Sequence, residues 1–206
     1  MLVNECVQCT QFPCEDVNHS CYIVPNIEVV PDKVSIFMVA EAAPTNPSDY
    51  FYAEGSPLFQ QTTVQAFNDA GVPVTSVQDI LEIGVYLTTA VKCGKRGYGI
   101  KASTIETCSF LLEQELNLFP NVQAYLLMGD VAIKSVNYIA KRNKSGRVIP
   151  AGSTYRIRGQ KYFFRGQRIY PSYLQAGPSF FIEKSKRKMI AEDIASALRL
   201  LKSKEG

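Results

Sequence analysis

Val34-Ser35-Ile36-Phe37-Met38-Val39-Ala40-Glu41-Ala42-Ala43-Pro44 decides the fold. Its apolar run does not alternate with polar residues, so it predicts a strand covered on both faces, as in a parallel sheet. Glu41 to Pro44 then reads as a loop at the carboxyl end of that strand. Two further runs have the same character, Val85 to Val91 and Ala124 to Met128. Helical patterns separate them. One holds Leu58, Phe59, Val64 and Phe67 and stops at Gly71. A short one spans Ser76 to Ile83. Ser103-Thr104-Ile105-Glu106 has the capping-box form and predicts a helix to about Leu118. Gly129-Asp130 leads into a helix to about Lys141. Tyr155 to Ile169 predicts a hairpin turning at Gly159-Gln160 or Gly166-Gln167. Lys184 to Lys202 closes the chain as an amphipathic helix. Strands alternating with helices predict an α/β protein, a three-layer α/β/α sandwich around a central, mainly parallel sheet. Ligands of such sheets bind at the carboxyl ends of the strands.

The 206 residues fit one domain spanning 1–206, with the irregular, proline-bearing segment 1–35 as a cysteine-bearing arm. No apolar run is long enough to span a bilayer and the start has no secretory character, so a cytoplasmic location and no membrane contact are expected. The net charge is +3, unevenly spread. Val131 to Ile182 contains no Asp or Glu but ten of the 22 bases, leaving 12 against the 19 acids elsewhere. That asymmetry predicts a basic face for a polyanion; a solvated loop region is the bland alternative.

Six cysteines without a secretion signal argue against a disulfide framework. Cys6-Val7-Gln8-Cys9 has the spacing to grip one metal from two sides, with redox chemistry or inert buried thiols as alternatives. Lys184, Lys186, Arg187 and Lys188 oppose the positive end of the last helix and invite an anion. Phe180 or Phe181 beside them is a candidate wedge for a base step.

Taken in order, these segments resemble the iron–sulfur branch of the uracil-DNA glycosylase superfamily. Val85-Tyr86-Leu87-Thr88-Thr89-Ala90-Val91-Lys92-Cys93 is similar to that branch's Val-Tyr-Ile-Thr-Asn-Val-Val-Lys-Cys, and Cys108 follows at about the family spacing. Met38 to Pro44 resembles a strand ending in Gly-Glu-Ala-Pro-Gly. Tyr50-Phe51-Tyr52-Ala53 falls where the family has Pro-Phe-Val-Gly, and Met128 to Ala132 resembles Leu-Gly-x-x-Ala. Ile169 to Tyr173 resembles the lead-in to the second motif, and Ala191 to Ile194 the closing helix.

The resemblance implies a monomeric DNA-repair N-glycosylase that flips a deaminated base and cleaves its bond to the sugar. It implies a 4Fe–4S cluster on Cys6, Cys9, Cys93 and Cys108, with Cys14 as the substitute ligand and zinc as the rival metal. It makes Glu41 the residue that orients water or faces the sugar cation, and Phe51 the stacking wall. Thr89 and Leu174 fall at base-contacting positions, and Ser172, Lys184, Lys186, Arg187 and Lys188 at DNA-contacting ones. Residue by residue, Phe51 also suits a core aromatic, Glu41 a capping or salt-bridged acid, and Thr89 an ordinary strand residue. Beyond the glycines of the first motif, replaced at Ala40 and Ala43, two positions depart from the family. Leu174 stands where the second motif has His, and Thr89 where the family reads uracil with Asn. The only histidine, His19, lies in the arm. A catalytically inactive DNA-binding relative is therefore the alternative.

Overall fold

A computed structural model describes residues 1–202. The arm carries a short helix α1 (Val3–Cys6) and a two-residue strand β1 (Val17–Asn18). Strand β2 (Ile36–Ala43) leads through α2 (Leu58–Asp69) and α3 (Val77–Glu82) to β3 (Val85–Lys95). Helix α4 (Ala102–Leu116), β4 (Ala124–Met128) and α5 (Asp130–Arg142) follow. The last part holds α6 (Thr154–Ile157), β5 (Tyr162–Phe164), β6 (Gln167–Ser172), α7 (Ser179–Ile182) and α8 (Lys184–Lys202). The six strands form one sheet in the order β1-β3-β2-β4-β6-β5. The four central strands are parallel, and β1 and β5 pair antiparallel at the edges. This is the expected three-layer α/β/α arrangement.

Alternation along β2 divides the core. Phe37 and Val39 pack with Tyr86, Leu127, Leu112 and Val136 beneath α4 and α5. Ile36, Met38 and Ala40 pack with Leu87, Leu126, Phe67 and Ile194 beneath α2 and α8. Glu41 continues the Phe37–Val39 face at the end of the strand, and so arrives at the α5 side.

Several boundaries differ from the sequence reading. β2 runs on through Glu41 to Ala43, because Ala42 and Ala43 still pair with Val91 and Gly94 across a register shift. β3 extends to Lys95, because the arm strand β1 pairs with Gly94 and Lys95. The capping box at Ser103 does not form. α4 starts at Ala102, and Asp16 of the arm accepts from Lys101 N at 2.6 Å and from the Thr104 hydroxyl. A capping box does form at Ser76 and Asp79. The predicted hairpin begins with a helical turn, α6, and its reversal falls at Arg165-Gly166, both at positive φ. That conformation suits a tight two-residue hairpin turn.

Candidate functional site

Glu41 sits where β2 ends above the start of α5. Its Oε1 accepts a long hydrogen bond of 3.5 Å from Val131 N, and Oε2 lies 3.9 Å from Lys95 Nζ. The helix N-terminus supplies partial positive charge that favours a carboxylate there. The seat is made by Gly129, whose φ of +99° and missing side chain leave the room. Gly129 N is in turn held by Ser172 O at 2.9 Å, which ties the β4–α5 junction to the end of β6.

The Glu41 carboxylate opens on a cavity of about 230 Å³ that is also lined by Leu174, Tyr173, Phe180, Lys186 and Arg187. The two cations are already engaged. Arg187 makes a two-pronged contact with Asp69, with Nη2 to Oδ1 at 2.8 Å, and Lys186 pairs with Glu183 on the preceding turn. Arg187 also lies over the Phe180 ring, 5.3 Å from its centroid, and Lys186 lies 5.4 Å from that of Tyr173. Lys184 and Lys188 are exposed on α8 and do not line this cavity.

Three other predicted residues lie elsewhere. Phe51 is fully buried, in edge-on and tilted ring contacts with Tyr50, Tyr52 and Phe59. Thr89 is fully buried within β3. Thr88 and Thr89 face Tyr50, yet neither the Tyr50 hydroxyl nor Thr89 Oγ1 makes a hydrogen bond of good geometry. Ser172 is also fully buried and donates to Asp193 Oδ2 at 2.6 Å, so its hydroxyl is spent inside the protein. Arg158 donates to both oxygens of Asp193, to Oδ1 at 2.9 Å and to Oδ2 at 3.0 Å. Ser172 thus positions the β6 end rather than presenting a hydroxyl at the surface.

The cysteines gather between the arm, β3 and α4. Cys9, Cys14, Cys93 and Cys108 line one cavity of about 220 Å³ together with Tyr22 and Lys92. Tyr22 fixes the arm there, its hydroxyl accepting from Cys9 N at 2.9 Å. The Cys14 and Cys108 thiols are neighbours. Burial, then the neighbouring Cys108, Cys9 and Cys14, pushes the Cys93 thiol up to about 12. Burial pushes the Cys108 thiol up to about 11, against the Lys92 N–H and cation that favour its thiolate. Cys6 is exposed at the end of α1 and does not line the cavity. Cys21 is occupied otherwise, its thiol donating to Thr45 O at 3.1 Å.

Among the described residues, no three His, Cys, Asp or Glu side chains draw close enough together to hold a metal ion. The four cysteines surround a space instead of meeting at a point, whereas a zinc ion takes its sulfurs at about 2.3 Å. A set of four thiols has the chemistry to hold either an iron–sulfur cluster or a zinc ion. His19 lines this cavity and not the Glu41 one.

Sequence reasoning missed the buried ion pair behind this cavity. Lys92 and Glu115 are both fully buried and paired. Lys92 Nζ also donates to Thr88 Oγ1 and Thr89 O, each at 2.7 Å, and Tyr86 donates to Glu115 Oε1 at 2.6 Å. A lysine inside an apolar strand run was the available signal, since lysine is almost never fully buried unless paired. For the Asp193–Arg158 clasp no local signal exists, because its partners are 35 residues apart.

The acid-free stretch is partly spent as well. Arg142 and Arg165 bind Glu113, Arg158 binds Glu192 and Asp193, and Arg168 donates to backbone carbonyls.

No family model matches the chain. Over 122 residues it is 26% identical to the Type-5 uracil-DNA glycosylase of Thermus thermophilus. The match covers 59% of this chain and 53% of that protein, so the chain spans about half the length of the curated relative it matches. This likeness supports the uracil-DNA glycosylase superfamily. No helix among the described residues is long and apolar enough to cross a membrane.

Proposed function

We propose that the protein is a base-excision glycosylase of DNA repair, hydrolysing the N-glycosidic bond of a flipped, deaminated base. One observation carries the reading: the Glu41 carboxylate, at the carboxyl end of a central parallel strand, faces a cavity shared with Leu174, Lys186 and Arg187. Such a cavity lies where open α/β sheets bind ligands. A flipped base and its sugar need a pocket of this kind. Glu41 then orients the attacking water or offsets positive charge on the sugar. Leu174 gives the departing base no hydrogen bond, so activity on uracil is weak.

The rival reading is a catalytically inactive DNA-binding relative. It is favoured by the full burial of Phe51 and Thr89, which line no part of the Glu41 cavity. In either case Cys9, Cys14, Cys93 and Cys108 are the proposed ligands of a 4Fe–4S cluster. Cys14 takes the place that the spacing gave to Cys6. When bound, that cluster supplies a staple of thiolate bonds from the arm to β3 and α4. We read the chain as one domain with its arm, acting as a cytoplasmic monomer.

The deciding experiment incubates the protein with oligonucleotides carrying uracil, hypoxanthine or xanthine and measures abasic sites. Abasic sites that disappear in Glu41→Gln support the enzyme. DNA binding without abasic sites on any of the three selects the inactive relative, and absence of both removes the nucleic-acid reading.

A further inference from the structure

Outside the Glu41 cavity, a basic groove of about 340 Å³ is lined by Ala102, Lys134, Asn137, Tyr138, Lys141 and Arg147. Lys134, Tyr138 and Lys141 stand at i, i+4 and i+7 on α5 and so share one face of the helix. Asn137 positions the opposite wall. Its Oδ1 accepts from Val148 N and Ile149 N at 3.0 Å, and its Nδ2 donates to Ile149 O at 2.9 Å, which sets Arg147 at the edge of the groove.

No acid lines the groove. Lys141 and Arg147 are exposed, and among the described residues neither takes part in an ion pair. They differ in this from Arg142, Arg158 and Arg165 of the same acid-free stretch, which are bound to internal acids. Lys134 pairs with Asp130 at 2.5 Å, but both ends are more than half exposed. An exposed pair of this kind is worth about 0–1 kcal/mol, so an anion can take over Lys134 at little cost. Asp130 also lines the Glu41 cavity, which puts the start of the groove one helical turn from that site.

We propose that this groove binds the sugar-phosphate backbone of a nucleic-acid strand continuing from the Glu41 cavity, with Tyr138 as the platform for a base. Cations alternating with an aromatic ring are what a strand without sequence preference requires. Lys134 to Lys141 covers roughly 10 Å of helix, enough to meet more than one phosphate of a strand. The inference rests on the nucleic-acid reading above and adds a location outside the base-binding cavity.

The test is fluorescence anisotropy at low salt with single-stranded oligonucleotides of roughly 4 and roughly 16 nucleotides. Lys141→Glu combined with Arg147→Glu is expected to weaken the long oligonucleotide at least about tenfold and to lower its salt slope by about 2, with little change for the short one. Both residues are exposed, so the variant should keep its fold, which circular dichroism checks. Tyr138→Ala should weaken the long oligonucleotide without changing the salt slope. An unchanged affinity and slope for the long oligonucleotide overturns the groove while leaving the Glu41 reading intact. An equal loss at both lengths reports only the altered net charge and also overturns it. Wild-type protein that binds neither oligonucleotide, or that binds polyglutamate through these residues instead, overturns the nucleic-acid reading and the groove with it.

Discussion

Gly129 leaves the space that the Glu41 carboxylate fills: a Cβ at Gly129 would lie 2.6 Å from both Glu41 Cγ and Oε1. The same residue holds φ at +99°, which L side chains rarely adopt. A strand-to-helix junction and the candidate catalytic acid are therefore one structural unit. Gly129→Ala must both strain the backbone and push Glu41 away from the start of α5. We expect a loss of stability of about 1–3 kcal/mol, from the strained backbone. Abasic-site formation should fall as far as in Glu41→Gln. Full activity in Gly129→Ala would mean that Glu41 is not needed in this position.

The Lys92–Glu115 pair supports β3 from α4 and is fully buried. Glu115→Ala strands a buried ammonium and deprives the Tyr86 hydroxyl of its acceptor. Breaking a buried pair from one side costs about 3–5 kcal/mol. Urea denaturation should show a loss of that size for Glu115→Ala, and a smaller one for Lys92→Met combined with Glu115→Gln. An equal or larger loss in the double variant would mean that the cation is stabilised chiefly by Thr88 and Thr89.

Asp16 joins the arm to α4, and its attachment depends on pH. Burial opposes ionisation of this carboxyl, but Lys101 N–H and the Thr104 hydroxyl outweigh it and hold the carboxyl below the usual carboxylate range. A depressed folded pKa contributes stability above the unfolded value, and that contribution is lost as pH falls through the folded one. The anchor should thus hold at neutral pH and weaken progressively below about pH 4. Hydrogen exchange at Lys101 should show protection that disappears on acidification. In Asp16→Asn it should be low at every pH. Protection independent of pH in the unaltered protein would remove this role for Asp16.

The strands of the sheet were legible because parallel strands covered on both faces must be apolar along their length, and Ile36–Val39, Val85–Leu87 and Ala124–Met128 are. The arm was not, because its contribution is made by pairings across long separations. Val17 and Asn18 extend β3 only by meeting Lys95 and Gly94, and Asp16 displaces the expected cap at Ser103. The site was half legible. Glu41, Leu174, Lys186 and Arg187 do share one cavity. Period-two reasoning gives the face on which Thr89 lies, but not that Tyr50, Tyr52 and Lys92 close over that part of β3. The sequence also gives no sign that Asp69, 118 residues away, holds Arg187.

Placement of the cysteines separates two ligand sets that spacing alone leaves open. Cys14 lines the cavity with Cys9, Cys93 and Cys108, and Cys6 does not. Anaerobically prepared protein should be brown and contain iron. Cys14→Ser should remove most of the iron and the visible absorbance, whereas Cys6→Ser should keep both. The reverse pattern would restore Cys6 as the ligand. Colourless protein with stoichiometric zinc would reject the cluster.

Leu174 and Glu41 line the same cavity, so the substitution at Leu174 bears directly on the chemistry there. Its side chain cannot donate a hydrogen bond to a base oxygen that gains negative charge as the glycosidic bond breaks. Removing one such donor from an enzyme commonly costs about a hundredfold or more in rate. Leu174 is only partly buried, which leaves room for an imidazole of similar bulk. Leu174→His should therefore raise uracil excision by one to two orders of magnitude, measured as abasic sites under single-turnover conditions. Thr89→Asn should not do the same, because Thr89 is fully buried and an amide there meets Tyr50 before it meets a base. Adding Glu41→Gln to Leu174→His should cancel the gain. Uracil excision at an ordinary enzymatic rate by the unaltered protein would defeat this account. The donor would then have to come from Tyr173, which lines the cavity beside Leu174.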